Sequence, residues 1–330
     1  MMEKRQLGRA EMAVNLVGLG CMGLTHAYGQ PVDEDEGIRI LHEVHDMGYD
    51  LFDTAECYRG VCADGTTQYN EELVGKALKN VRHEVVICTK FGVRHKGDHL
   101  ETYAQPEEIR QAVEGSLRRL RTDYIDLYYQ HRIDPNTEPE TVADVMADLI
   151  REGKIRAWGI SETTDDYLRR AHQVCPVTAI QNRFSMLATW HRPLLSTCEQ
   201  LGISFVAFSP LANGFLKSDL KKGEQYDNAD VRRVLPQFTD AAIDSAAELL
   251  QLLDALCDRH HASRSQVSLA WVLAQSTSII TIPGSRRIEN IRSNFEFQHI
   301  CMTADEIAAI NTLLERMDIP VFGGSKIVNQ

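Results

Sequence analysis

The stretch Asp53-Thr54-Ala55-Glu56-Cys57-Tyr58 sets a carboxylate and a phenol five positions apart, and Lys90 and His131 follow at longer intervals. Asp53, Lys90 and His131 each stand at the exit of a short apolar run: Tyr49-Asp50-Leu51-Phe52, Val85-Val86-Ile87 and Ile125-Asp126-Leu127-Tyr128-Tyr129. A free phenol titrates at about pH 10, too high for an efficient acid at neutral pH. An ammonium beside it stabilises the phenolate and lowers that value, while a carboxylate keeps the ammonium charged and aimed. A neutral imidazole donates a hydrogen bond to a carbonyl oxygen. Together the four can protonate an oxyanion while another agent attacks the carbonyl carbon. Singly, each residue has a plainer reading: Asp53 as a cap, Lys90 as a solvated charge, Tyr58 as packing, His131 as a satisfied buried ring. Their order at successive strand exits is what sets them apart.

Convergence needs a scaffold, and the chain repeats an order of apolar run, loop and helix. Asp33 and Glu36 have capping-box spacing ahead of Ile40, Leu41, Val44 and Met47, with Gly48 as the stop. Asn70 is expected to cap a helix bearing Leu73, Val74 and Leu78, and Pro106 opens one bearing Ile109, Val113, Leu117 and Leu120. Val142, Val145, Leu149 and Ile150 mark another, ended by Gly153. With the three runs above, Leu16-Val17, Ala157-Trp158-Gly159-Ile160, Val177-Thr178-Ala179-Ile180, Ile203-Ser204-Phe205-Val206-Ala207 and Ile279-Ile280-Thr281-Ile282 make eight strands. Strands alternating with helices imply a parallel sheet with right-handed crossovers. Eight such units predict the α/β class, a (β/α)8 TIM barrel forming one domain over residues 1–330, with a long loop at about 211–240 and a tail at about 317–330. The residues just past the strands are Asp53, Lys90, His131, Ser161, Gln181, Ser209 and Ser285, an ionisable rim where barrel chemistry sits. Neighbouring strands lie about 4.8 Å apart, so these side chains can converge.

Of 330 residues, 43% are hydrophobic and 25% charged, the mix of an ordinary globule. Lys plus Arg number 35 against 47 Asp plus Glu, and the net charge of −12 argues against nucleic acid or an anionic membrane as partner. No apolar run approaches the roughly 20 residues of a bilayer span, and the start, Met1-Met2-Glu3-Lys4-Arg5-Gln6, holds no apolar signal core. Eight scattered cysteines without a CxxC read as reduced thiols of a cytoplasmic protein. No HxH or HExxH occurs, so no metal site is expected. Gly18-Leu19-Gly20-Cys21-Met22-Gly23 matches G-x-G-x-x-G, yet a loop through Thr25–Pro31 precedes the first helix, whereas a Rossmann turn opens its helix directly. The glycines read instead as a tight strand exit that lets backbone approach a ligand.

These features, with Asn70-Glu71-Glu72-Leu73-Val74-Gly75, Thr89-Lys90-Phe91-Gly92, Gly159-Ile160-Ser161, Gln181-Asn182, Phe208-Ser209-Pro210-Leu211 and Ile282-Pro283-Gly284-Ser285-Arg286-Arg287, resemble the aldo-keto reductase superfamily over nearly the whole chain. The resemblance implies a β-hairpin at about residues 5–14 plugging the barrel base, and a small-molecule carbonyl substrate. It implies NADPH/NADP+ across the mouth, with NADH as the alternative, and hydride transfer to an aldehyde or ketone carbon. Asp53, Tyr58, Lys90 and His131 match the family's catalytic tetrad, with Tyr58 as proton donor. Cofactor contacts carried over are Gly20, Met22 and Gly23; Ser161 and Gln181 at the carboxamide; Phe208 under the ring; Ser209, Pro210, Leu211 and Gly214 at the pyrophosphate; and Ser285, Arg286, Arg287, Asn290 and Asn294 towards the adenosine.

Arg286 and Arg287 open a helix whose free amides favour phosphate, and two adjacent arginines suit a 2′-phosphate; the plainer reading is a surface pair bridged to Glu289. Several positions depart from the family's usual residues: Glu162 for Asn, Asn213 for an Arg after Ser-Pro-Leu, and Asn290 and Ser293 for Arg and Glu. The 59–69 connection is longer than usual and is expected to shape the substrate opening, with Phe91, Trp190, Tyr226 and Phe322 as pocket residues and an apolar or aromatic aldehyde as substrate. Two rivals stand beside this reading: an aldolase using Lys90 as a Schiff-base amine, and a non-catalytic sensor that binds NADPH.

Overall fold

The structure, a computed structural model, describes residues 3–97, 99–297 and 300–322. Strands β1 (Lys4–Gln6) and β2 (Ala13–Asn15) pair antiparallel as a hairpin at the N-terminus. The barrel wall begins with β3 (Leu19–Gly20) and β4 (Leu51–Asp53); a second hairpin, β5 (Arg59–Val61) with β6 (Thr67–Tyr69), follows Tyr58. After β7 (Val86–Phe91) comes a third hairpin, β8 (Val93–Lys96) with β9 (His99–Thr102). The wall continues through β10 (Ile125–Gln130), β11 (Ile155–Ser161), β12 (Ala179–Arg183), β13 (Ser204–Phe208) and β14 (Ile279–Thr281). The eight wall strands are parallel neighbours in chain order from β3 to β14. Val17 bridges Thr281, and Thr281 N–H donates to Leu16 O at 2.9 Å, so the last strand meets the first and the barrel closes.

Helices return the chain between strands for local reasons. Asp33 caps α1 (Glu34–Asp46) by accepting from the amides of Asp35 and Glu36, and Pro106 stands in the first turn of α3 (Pro106–Leu120), after α2 (Asn70–Leu78). α4 (Pro139–Arg151), α5 (Asp165–Val174), α6 (Leu194–Leu201), α7 (Asp240–Ser245), α8 (Ala247–His260), α9 (Arg264–Ala274), α10 (Ile288–Glu296) and α11 (Ala304–Arg316) complete the shell. Asn70 does not cap α2. Buried at its start, it accepts from Thr54 Oγ1 at 2.6 Å and donates to Cys21 O and Thr25 Oγ1, tying two strand exits together.

Leu7, Met12 and Val14 of the first hairpin pack against the inward residues Leu51, Cys88, Leu127, Tyr129, Ala157, Ala179, Val206 and Ile280, which seals the barrel base. The seam between first and last strands explains two glycines. A Cβ at Gly20 would stand 2.7 Å from Ile282 O, and one at Gly284 2.5 Å from Gly20 O. The missing Cβ at Gly20 thus lets the barrel close. All eight cysteines are free, and no described helix is long and apolar enough to cross a membrane.

Candidate active site

Successive side chains of a strand face opposite sides, so the inward residues at the base fix which ones reach the mouth. From Leu51 that parity gives Asp53; from Cys88, Lys90; from Tyr129, His131. From Ala157 it gives Ser161, from Ala179 both Gln181 and Arg183, and from Val206 Phe208. Phe91, one residue past Lys90, takes the other side: it is fully buried against Tyr128, ring centroids 5.1 Å apart, in the layer between strands and helices. It is therefore not a pocket residue, contrary to the sequence expectation.

The four predicted side chains converge. Lys90 Nζ lies 2.5 Å from Asp53 Oδ1 and 2.8 Å from Thr54 O, and donates to the Tyr58 hydroxyl at 3.4 Å. Gln181 Nε2 donates to the other Asp53 oxygen at 2.7 Å, which fixes the carboxylate from the opposite wall. The Tyr58 and His131 rings meet edge to face at 5.7 Å. Burial pulls the Lys90 ammonium down, but Asp53 and Tyr58 together hold it above its ordinary value. Burial pushes the Tyr58 phenol up to about 12, more than Lys90 pulls it back. The expected net lowering is thus reversed in the protein chain itself, and the phenol stays protonated across the neutral range. His131 lies well below the usual imidazole value because it is buried and faces Arg132 and Lys90.

Three neighbours escaped the sequence reading. Cys57 Sγ lies 3.5 Å from His131 Nδ1, and burial holds the thiol up at about 12. The thiol keeps its proton and can donate it to Nδ1, an arrangement that puts the imidazole proton on Nε2. Glu56 accepts from Gly92 N–H at 3.0 Å and from the Tyr103 hydroxyl, and burial raises it to about 7. His26 stacks on Tyr58 at 5.8 Å and meets His95, near the turn of the third hairpin, edge-on at 6.2 Å. The two inserted hairpins thus flank the phenol. An Asp64-Gly65 turn between polar and apolar residues was the legible signal for the first of them.

On the other side of the mouth Ser161 pairs in register with Gln181, and its Oγ accepts from Arg132 at 3.2 Å. Arg183 pairs with Phe208 and lies over that ring at 5.0 Å. The next turn is strained: Ser209, Ala212 and Asn213 all have positive φ, and Gly214 reaches φ +90°. Pro210 is buried and Leu211 partly so. Glu162 turns away from the mouth: its Oε1 accepts the Arg183 backbone N–H at 2.7 Å and its Oε2 faces His191. Met22 and Gly23 lie in a short turn after β3, and the Gly23 carbonyl accepts from Arg286, whose Nη1 also donates to Gln30 O at 2.7 Å. Arg286 therefore ties down the first loop. Arg287 is exposed, with no ion pair to Glu289 among the described residues; its amide and the Asn290 side chain meet Ser285 Oγ. Asn294 is buried in α10.

The 211–240 loop folds back across the mouth. Gly29 N–H donates to Ala229 O at 3.1 Å, Val231 N–H to Ala27 O at 2.8 Å, and Asn213 Nδ2 to the Tyr28 hydroxyl at 2.9 Å. Tyr226 packs in this loop on Phe238, Trp190 lies beside His191, and Phe322 of the tail lies 5.8 Å from the Arg183 guanidinium. Residues 323–330 of the expected tail lie outside the described residues.

A closed parallel barrel with a plugged base and an ionisable mouth defines an α/β-barrel enzyme. The chain belongs to the Aldo/keto reductase family, whose profile matches residues 16–315, and it is therefore an oxidoreductase. It is 34% identical to aldo-keto reductase str7 of Strobilurus tenacellus over 327 residues, 96% of this chain and 93% of the relative. Among solved structures it resembles the glycerol dehydrogenase AKR11B4 of Gluconobacter oxydans, at 26% identity and a TM-score of 0.83 over 95% of both chains. An aldo-keto reductase of Klebsiella pneumoniae solved with NADPH shares the fold, at 24% identity and a TM-score of 0.72 over 96% of this chain and 99% of that one.

Proposed function

We propose that this chain is an NADPH-dependent carbonyl reductase that turns an aldehyde or ketone into an alcohol, with Tyr58 as the proton donor. The observation that carries the reading is Lys90 held between Asp53 and Tyr58, 2.5 Å from one and 3.4 Å from the other.

The mouth fits a nicotinamide dinucleotide. Gln181 has given its amide N–H to Asp53, so its Oε1 remains to accept; Ser161 Oγ accepts from Arg132, so its O–H remains to donate. A carboxamide needs one acceptor and one donor, and this pair supplies both. Phe208, half-buried at the end of its strand, offers a flat face to an aromatic ring, and the exposed Arg287 offers a cation for a 2′-phosphate. NADH is the second candidate. When bound, the nicotinamide supplies the hydride.

The chain's own residues do the rest. His131 Nε2–H and the Tyr58 hydroxyl hold the substrate carbonyl oxygen, and that polarises the carbon. As negative charge grows on this oxygen, Tyr58 gives up its proton, and Lys90 stabilises the phenolate left behind. Asp53 keeps Lys90 charged and aimed. Burial keeps Tyr58 protonated until that moment, as a general acid requires.

The aldolase alternative needs a neutral amine at Lys90, and the Asp53 contact drives Lys90 the opposite way. A non-catalytic sensor would bind NADPH without turnover. Eight free thiols suit a reducing, cytoplasmic compartment. The test is a screen of aldehydes and ketones that follows NADPH and NADH absorbance with wild type and Tyr58→Phe. Turnover by wild type, lost by about 100- to 10,000-fold in Tyr58→Phe with NADPH binding intact, is the expected result. Equal turnover by the two proteins overturns the assigned acid.

A further inference from the structure

The strained turn at 209–214, Ser-Pro-Leu-Ala-Asn-Gly, holds no cation of its own. The inward side of β12 supplies one. Arg183 points into the mouth by strand parity, its Nη1 donates to Asn213 Oδ1 at 3.2 Å, and its guanidinium lies over the Phe208 ring at 5.0 Å. The residue is 8% exposed. Among the described residues no carboxylate pairs with the guanidinium, and its Nε and Nη2 have no protein acceptor. Glu162, the nearest acid along the strand ends, gives its oxygens to the Arg183 backbone amide and to His191. Arg132 is a second cation at the same rim, engaged with His131 O and Ser161 Oγ. A buried guanidinium using one of its five N–H donors is costly unless an anion completes it.

We infer that Arg183 is the pyrophosphate-binding cation of this chain, supplied by strand β12 beside the 209–214 turn, with Asn213 holding it in place. The inference rests on the dinucleotide reading above. It makes Arg183 and Asn213 an exchange pair, in which a guanidinium at either position serves the same phosphate. The charge comes from a rigid strand rather than a loop, and it belongs to the part of the cofactor that NADPH and NADH share.

Binding is measured by quenching of tryptophan fluorescence with NADPH, NADH and adenosine 2′-monophosphate, which lacks the pyrophosphate, on proteins whose folding is checked by circular dichroism. Wild type binding neither dinucleotide removes the cofactor reading and the inference with it. With wild type binding established, Arg183→Met is expected to weaken NADPH and NADH alike by about 10- to 100-fold and to flatten the salt dependence of both, while adenosine 2′-monophosphate is unaffected. Arg183→Lys is expected to keep part of the affinity, and Arg183→Met with Asn213→Arg to regain most of it. Dinucleotide affinities within about twofold of wild type in Arg183→Met, or no rescue by Asn213→Arg, overturn the inference while leaving the cofactor reading standing. So does a rise in KM confined to carboxylate-bearing aldehydes, which would assign Arg183 to the substrate.

Discussion

The Cys57 thiol and the His131 imidazole meet inside the barrel mouth, Sγ to Nδ1 at 3.5 Å. Both are buried, and burial moves both away from their charged forms. A protonated sulfur can donate to Nδ1 of the neutral ring, and that arrangement puts the ring proton on Nε2. Cys57→Ala removes that constraint. Its kcat is expected to fall by about 2- to 10-fold with little change in dinucleotide affinity, the worth of one ordinary hydrogen bond. Nitrogen NMR of His131 should show Nε2–H in wild type and a tautomer mixture in Cys57→Ala; Nδ1–H in wild type would contradict the assignment.

Lys90→Met leaves Asp53 buried with only Gln181 as a side-chain partner. An orphaned buried charge destabilises by about 3–5 kcal/mol, so a marked drop in Tm is expected along with a loss of turnover comparable to that of Tyr58→Phe. Adding Asp53→Asn to Lys90→Met should recover most of the stability and none of the turnover. A double variant no more stable than Lys90→Met would show that the pair is not what the burial isolates.

Glu56 carries a pH signature. Its carboxyl is raised to about 7 by burial, against 4.5 in an unfolded chain. Between those values the folded protein holds the proton more tightly, so stability falls as pH rises and levels off above pH 7. The cost reaches about 3 kcal/mol. Glu56→Gln, which does not titrate, should therefore gain on wild type in urea unfolding between pH 5 and pH 8. An unchanged difference between the two pH values would mean that Glu56 ionises normally.

The two adjacent arginines should separate. Arg286 is engaged with the carbonyls of Gly23 and Gln30, whereas Arg287 is exposed. Arg287→Ala is expected to weaken NADPH by about tenfold and spare NADH, the loss of one charged contact. Arg286→Ala should weaken both dinucleotides equally through the loosened first loop. Fluorescence titration with each dinucleotide decides, and selectivity lost only on changing Arg286 would reverse the assignment.

The alternation of side chains made Asp53, Lys90 and His131 legible, because each strand carries a recognisable apolar run that ends at a polar residue. The same rule applied two residues past Gln181 reaches Arg183; the apolar run ends too early for the sequence to show that the strand extends so far. Phe91 was misplaced by one position, which in a strand is the whole difference between mouth and helix layer. Asn70 looked like a cap because Asn is a good one, but a buried amide bridging Thr54, Cys21 and Thr25 leaves no mark in local sequence. The sign of the Tyr58 shift was beyond reach for another reason. Sequence counts the neighbouring ammonium and not the water that folding removes.

Tyr28 and Asn213 join the loops after β3 and β13, and β14 lies between those two strands. Their contact, with the backbone pairing beside it, carries the two loops across the rim above β14. A dinucleotide bound beneath these loops would be held in by them. Departure then waits for the loops to part, and the amides of Gly29 and Val231 become its clock: their exchange with solvent deuterium reports each opening. An enzyme so built would empty more slowly than it reacts, with a first turnover running ahead of the rest.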